Sequence, residues 1–163
     1  MTTPISRLFT VALVLGALGA VAIGAQTAEQ RITPNEVHWP SAAAAGVGTS
    51  GVTSIQTVVL KGDPTKAGLY TLLLRIGPNT KIAAHAHPDD RVATVVSGTW
   101  YFGYGKEFNE AGLKALPAGS FYTEPPNSNH FAMTRQEGAV IQISGTGPSG
   151  TTYVDPKNDP TRK

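Results

Sequence analysis

Short apolar runs, broken at hairpin distances by turn residues, constrain this chain more than any other feature. The runs cover residues 55–60, 69–76, 92–96, 99–104 and 140–144, and they are rich in Val, Ile, Thr and aromatic side chains. Between them stand KGDPTKAG, GPNT, the dipeptide Ser97-Gly98 and a Pro/Gly-rich stretch around Pro117 and Gly119. Helical periodicity is almost absent, and only residues 109–114 suit a short helical turn. Strands that follow one another this closely pair antiparallel, so the pattern predicts an all-β domain, a barrel or a sandwich.

The first 25 residues read differently. Residues 8–25 run LFTVALVLGALGAVAIGA without a charge, after a leader whose only basic side chain is Arg7. This predicts a signal peptide over 1–25, cut after Ala25, and a periplasmic or secreted mature protein with no stable membrane insertion. A tether by an uncleaved N-terminal helix is the alternative, since the run approaches the roughly 20 apolar residues that span a bilayer. Cleavage removes one of 13 basic groups and leaves 12 against 11 acidic ones, with no basic cluster. Nucleic acid is therefore excluded as an expected partner. Residues 26–52, with Pro34, Pro40 and a run of alanines, read as an extended arm or linker. Within the arm, Trp39 is expected to pack down and His38 to lie on the surface. Residues 53–163 read as the folded domain.

The chain has no Cys, so disulfides, thiolate zinc sites and thiol nucleophiles are excluded, and His and carboxylates remain as metal ligands. In KIAAHAHPDD, His85 and His87 are two residues apart, which on a strand sends both imidazoles to one face. His130 ends GSFYTEPPNSNH, which reads as a strand, a proline-directed turn and a return strand carrying the imidazole inward. Three imidazoles leave coordination positions open, as catalytic metal sites do. No GxSxG elbow and no Gly-rich loop opening a helix is present, so serine-hydrolase, kinase and dinucleotide chemistry have no support.

Over roughly residues 53–146 the chain resembles the cupin superfamily. The first cupin motif runs Gly, His-x-His, Glu, Gly, and the matching residues are Gly77, His85, His87, Arg91 and Gly98. The second motif is matched by Pro117-Ala118-Gly119, Pro125 and His130. The resemblance implies a single antiparallel jelly-roll barrel, a small-molecule ligand, a homodimer and one divalent transition metal (Fe, Zn, Mn, Cu or Ni) on His85, His87 and His130.

One departure bears on chemistry. Arg91 occupies the position of the family's Glu ligand, and a guanidinium cannot coordinate a cation. Asp89 and Asp90 are off register for that role and are expected at the barrel mouth. Glu124 is the candidate to compensate, either bonded to the metal or beside it, as in some three-histidine cupin dioxygenases. Arg91 then either pairs with Glu124 or clamps an anionic substrate oxygen. Tyr101 is a candidate proton donor, Tyr104 and Gln142 are candidate substrate contacts, and Trp100, Phe102 and Phe121 are expected in core and rim. The implied function is an exported metal-dependent enzyme acting on a small oxygen-rich organic molecule, dioxygenase-like ahead of isomerase or hydrolase. A non-catalytic binding protein or a metal-sequestering protein is the alternative.

Overall fold

A computed structural model describes residues 29–42 and 46–162; the expected signal peptide, 1–25, lies outside them. Residues Thr33–Lys163 form a compact unit. Its strands, in chain order, are β1 (Ile55–Lys61), β2 (Gly68–Ile76), β3 (Lys81–Ala86), β4 (Arg91–Tyr104), β5 (Lys114–Pro117), β6 (Phe121–Glu124), β7 (His130–Met133), β8 (Ala139–Gly147) and β9 (Thr152–Tyr153). All pairings are antiparallel, and the neighbours run β1-β2-β8-β4-β7-β3-β9, with β5 and β6 also on β4. A short 3-10 turn, Glu110–Gly112, lies within the stretch expected to be helical.

Alternation fills the barrel. On β2 the inward Tyr70 is fully buried while its neighbour Leu69 is 57% exposed. On β8, Ala139, Ile141 and Ile143 point inward and Gln142 points out. Together with Ile55, Leu72, Leu74, Ile76, Val95, Trp100 and Phe102 they form one core. Each large side chain so buried contributes roughly 1.5–3 kcal/mol.

β4 turns the corner between the two halves of the barrel. Its first part pairs with β6 and β8, and its second part with β5 and β7. The register slips between Val95 and Ser97, and Gly98 has φ +73°. A Cβ at Gly98 would collide with the Gly138 carbonyl, so only glycine fits. Ser97-Gly98, expected as a turn between two strands, is therefore a bulge within one.

The segment ahead of β1 is no free linker where it is described. Pro40 accepts a hydrogen bond from the Gln56 amide at 2.6 Å, and the Arg75 guanidinium lies 4.0 Å over the half-buried Trp39 ring. His38 is exposed. Gly48, Thr49 and Ser50 are buried across one end of the barrel.

Candidate metal centre

β3 lies between β7 and β9, which sets His85 opposite His130 on one side and Tyr153 on the other. A register slip between Ile82 and His85 turns both of these side chains to the interior. His87 follows two residues on, and the ring centres stand 5.0 Å (His85 to His87), 4.4 Å (His85 to His130) and 5.2 Å (His87 to His130) apart. Each imidazole offers one nitrogen to a common point, and these atoms lie within 4.8 Å of one another. The other nitrogen is engaged in every case. Nδ1 of His85 donates to the Ala83 carbonyl at 2.8 Å, that of His87 to the Gly150 carbonyl at 2.6 Å, and that of His130 to the Ser128 carbonyl at 3.0 Å. These bonds fix one tautomer and leave three Nε2 lone pairs facing inward.

Arg91 and Glu124 face each other across β4 and β6. The guanidinium donates from Nε and from one Nη to Glu124 Oε2, and from the other Nη to the Gly48 carbonyl. Oε2 lies 3.8 Å from His87 Nε2, and Oε1 lies 3.9 Å from His130 Nε2. The position that aligns with the family's metal-binding glutamate is thus filled by a cation, and a carboxylate comes in from the strand beside it. None of the three histidines, Arg91 or Glu124 exposes more than 4% of its surface.

Burial sets the charge states. It pushes His85 down to about 3, with the neighbouring His130 adding to the shift, and it likewise lowers His87 and His130. All three are therefore neutral near pH 7, as metal ligands must be. Burial alone would raise the Glu124 carboxyl, but the Arg91 guanidinium together with the His130 and His87 side chains outweighs it, and the net shift is downward. Glu124 is an ionised buried carboxylate.

Other candidates lie elsewhere. Tyr101 is half-buried on the outer face of β4, with the Arg135 guanidinium 4.8 Å from its ring. Because Trp100 and Phe102 point inward, Tyr101 between them points out. Tyr104 is 55% exposed, and its hydroxyl donates to the Thr123 carbonyl at 2.7 Å. Gln142 is exposed between the inward Ile141 and Ile143, so Gln142 and Tyr104, expected as substrate contacts, and Tyr101, expected as a proton donor, all lie outside the lining of the central cavity. Phe121, expected in the core or rim, is 61% exposed. Asp90 is exposed, whereas Asp89 is buried and accepts hydrogen bonds from Tyr70 at 2.5 Å and Ser149 at 2.7 Å.

Among the described residues, Tyr122 is a tyrosine that lines the central cavity. It shares the inward face of β6 with Glu124 two residues on, and its ring packs 4.4 Å from Phe102. Burial, reinforced by the Glu124 carboxylate, raises its phenol well above the ordinary range and keeps it protonated. Trp100 also lines this space, and its indole N–H has no hydrogen-bond partner among the described residues. The central cavity has about 30 Å³, room for two or three water-sized groups at the roughly 10–15 Å³ each requires.

This donor set fits a divalent transition metal. Ligands sharing an ion at bonds near 2.1 Å stand roughly 3–4.2 Å apart. The distances from Glu124 to His87 and His130, 3.8 and 3.9 Å, fall in that range, and the imidazole nitrogens, within 4.8 Å of one another, reach it by closing by up to about 1 Å.

No family model and no curated protein matches the chain in sequence. Solved structures match it in fold. An RmlC-like cupin from Shewanella frigidimarina aligns over 73% of this chain and 91% of its own, with TM-score 0.52 and 18% identity. KdgF from Halomonas sp. aligns over 74% and 96%, with TM-score 0.53 and 16% identity. A cupin-superfamily sugar phosphate isomerase from Silicibacter pomeroyi aligns over 76% and 81%, with TM-score 0.55 and 15% identity. The fold that the chain shares with these structures is that of the RmlC-like cupins.

Proposed function

We propose that the protein is an exported, mononuclear metal-dependent cupin enzyme acting on a small oxygen-rich organic molecule. The observation that carries this reading is the set of three neutral imidazoles, each held by its Nδ1, converging beside an ionised Glu124. A divalent metal bound there supplies a Lewis-acid centre that draws an anionic oxygen. Glu124 Oε1, which Arg91 leaves free, is placed to take a proton from an enol or phenol. Tyr122 is held protonated and can donate to a developing oxyanion. The apolar walls from Ile55, Leu74, Ile82, Phe102 and Ile143 keep water scarce. A base beside an open metal face suits oxygenation of an enolisable substrate first, ahead of isomerisation or hydrolysis.

Export rests on the apolar leader, and the homodimer rests on the resemblance. The small cavity favours a second reading, a protein that holds metal without turning over a substrate. Elemental analysis of the mature chain tests the common part of both. One equivalent of metal is expected, and His85→Ala or His130→Ala should abolish it. Wild-type protein that stays metal-free after reconstitution refutes the metal centre. Oxygen uptake on a panel of enolic and phenolic compounds then separates the enzyme from the sequestering protein.

A further inference from the structure

Residues 46–51 lie as a strap over the metal centre and are tied to the barrel in an unusual way. Arg91 donates to the Gly48 carbonyl, the Thr151 hydroxyl to the Thr49 carbonyl at 2.7 Å, and the Tyr153 hydroxyl to the Ser50 carbonyl. Every one of these hydrogen bonds ends on strap main chain. The one strap hydroxyl not bonded within the strap, that of Ser50, is buried without a partner among the described residues. Gly48 and Gly51 have φ of +77° and +75°, which glycine adopts without strain. Beneath the strap the cavity of about 30 Å³ is too small for an organic substrate.

We propose that the strap is the entry gate of the site and that the ligand it admits carries a carboxylate, which replaces the Gly48 carbonyl on Arg91. The choice of ligand rests on the function proposed above; the gate itself does not. Two of the three donor positions that Arg91 uses are committed to Glu124, and only the strap-facing Nη is exchangeable. A carboxylate accepts from a guanidinium more strongly than a neutral carbonyl does, so an anion competes for this donor where a neutral molecule of the same shape does not. Opening the strap frees that Nη and the space above the imidazoles in one movement.

The chain has no cysteine, so an engineered disulfide is unambiguous. A Cβ built on Gly46 lies 3.5 Å from the Thr57 Cβ, at the short end of the roughly 3.5–4.5 Å that disulfides span. Gly46→Cys with Thr57→Cys therefore locks the strap to β1 when oxidised and releases it when reduced. The probe is diethyl pyrocarbonate on metal-free protein, read by mass spectrometry at each of the 4 histidines. Exposed His38 serves as the internal control and should react alike in both forms. Three hydrogen bonds, each worth roughly a factor of five, put the open form on the order of one molecule in a hundred. In the reduced protein His85, His87 and His130 should accordingly react about a hundredfold more slowly than His38, and in the oxidised protein at least about tenfold more slowly again. Should the disulfide not form, Thr151→Val with Tyr153→Phe loosens the strap instead and should speed the three imidazoles by about tenfold or more.

Calorimetry supplies the ligand arm of the test. Oxalate should bind the reduced form and not the oxidised form, and its neutral analogue oxamide should bind neither. Equal imidazole rates in the oxidised and reduced protein, or no acceleration in the loosened variant, overturn the gate. Oxamide binding as tightly as oxalate, or oxalate failing to bind the reduced form, overturns the carboxylate. Because no metal is present in either measurement, failure of the metal centre would show in elemental analysis alone.

Discussion

Replacing Arg91 by methionine should cost the fold about 4–6 kcal/mol at pH 7, and the loss should shrink as the solution is acidified. Both partners of the Arg91 and Glu124 pair are almost wholly buried, and removing one leaves the other as an uncompensated charge. Such losses run to about 3–5 kcal/mol, and the Gly48 carbonyl gives up a charged donor worth about 1–2 kcal/mol more. The charge part has a ceiling, because Glu124 can escape by taking up a proton. From an ordinary carboxyl value of about 4.3, protonation at pH 7 costs about 3.7 kcal/mol, and at pH 5 only about 1 kcal/mol. In the variant the folded-state value of Glu124 is raised above its unfolded value. The folded chain then binds the extra proton, and the deficit against wild type falls by up to about 2.7 kcal/mol between pH 7 and pH 5. Urea unfolding of the metal-free proteins at both pH values measures this directly. Adding Glu124→Gln on top of Arg91→Met should cost about 2–3 kcal/mol less than the two single losses summed. An Arg91→Met loss under about 1 kcal/mol at pH 7, or one that is the same at pH 5, refutes the buried ion pair as described.

Three further outcomes follow from the same geometry. Metal-free protein should lose thermal stability as pH falls from about 6.5 toward 3, because folding holds His85 neutral down to about 3 while the unfolded chain takes up its proton near 6.5; each such group costs up to about 1.4 kcal/mol per pH unit, and an unfolding midpoint that is flat between pH 7 and 5 contradicts the assignment. Glu124→Gln should weaken divalent-metal binding by about 10–100-fold in competition with a chromophoric chelator, whereas the outward Gln142→Ala should leave it unchanged; equal affinities in Glu124→Gln and wild type would remove the carboxylate from the centre. Thr57→Val should stabilise the protein by about 1 kcal/mol in urea unfolding, since the Thr57 hydroxyl is buried without a partner among the described residues, and a loss instead would show that the hydroxyl is satisfied.

The sequence resolved the strand pattern and the histidines far better than the rest of the site, for physical reasons. His85 and His87 carry their geometry in their spacing, and apolar runs report burial locally. Ser97-Gly98 misleads because glycine at positive φ serves a hairpin and a bulge equally, and only the Gly138 carbonyl packed against Gly98 decides between them. Side-chain chemistry favours Tyr101 and Gln142 as site residues, whereas alternation with Trp100, Phe102, Ile141 and Ile143 points them outward. The same rule, applied to Glu124, would have found Tyr122 two residues before it. The ties to Thr151 and Tyr153 had no local signal at all, since they join segments about a hundred residues apart.

The acceptors that orient the three imidazoles belong to the main chain at Ala83, Ser128 and Gly150. A carbonyl is common to every amino acid, so no codon change can delete one. In a saturation mutagenesis scan scored by metal retention, His85, His87 and His130 should therefore tolerate almost nothing. Ala83 and Ser128 should accept most side chains that leave the backbone path intact, with proline the natural exception. The orienting layer of this centre is thereby written in backbone geometry rather than in residue identity, and it can persist while the sequence around it drifts.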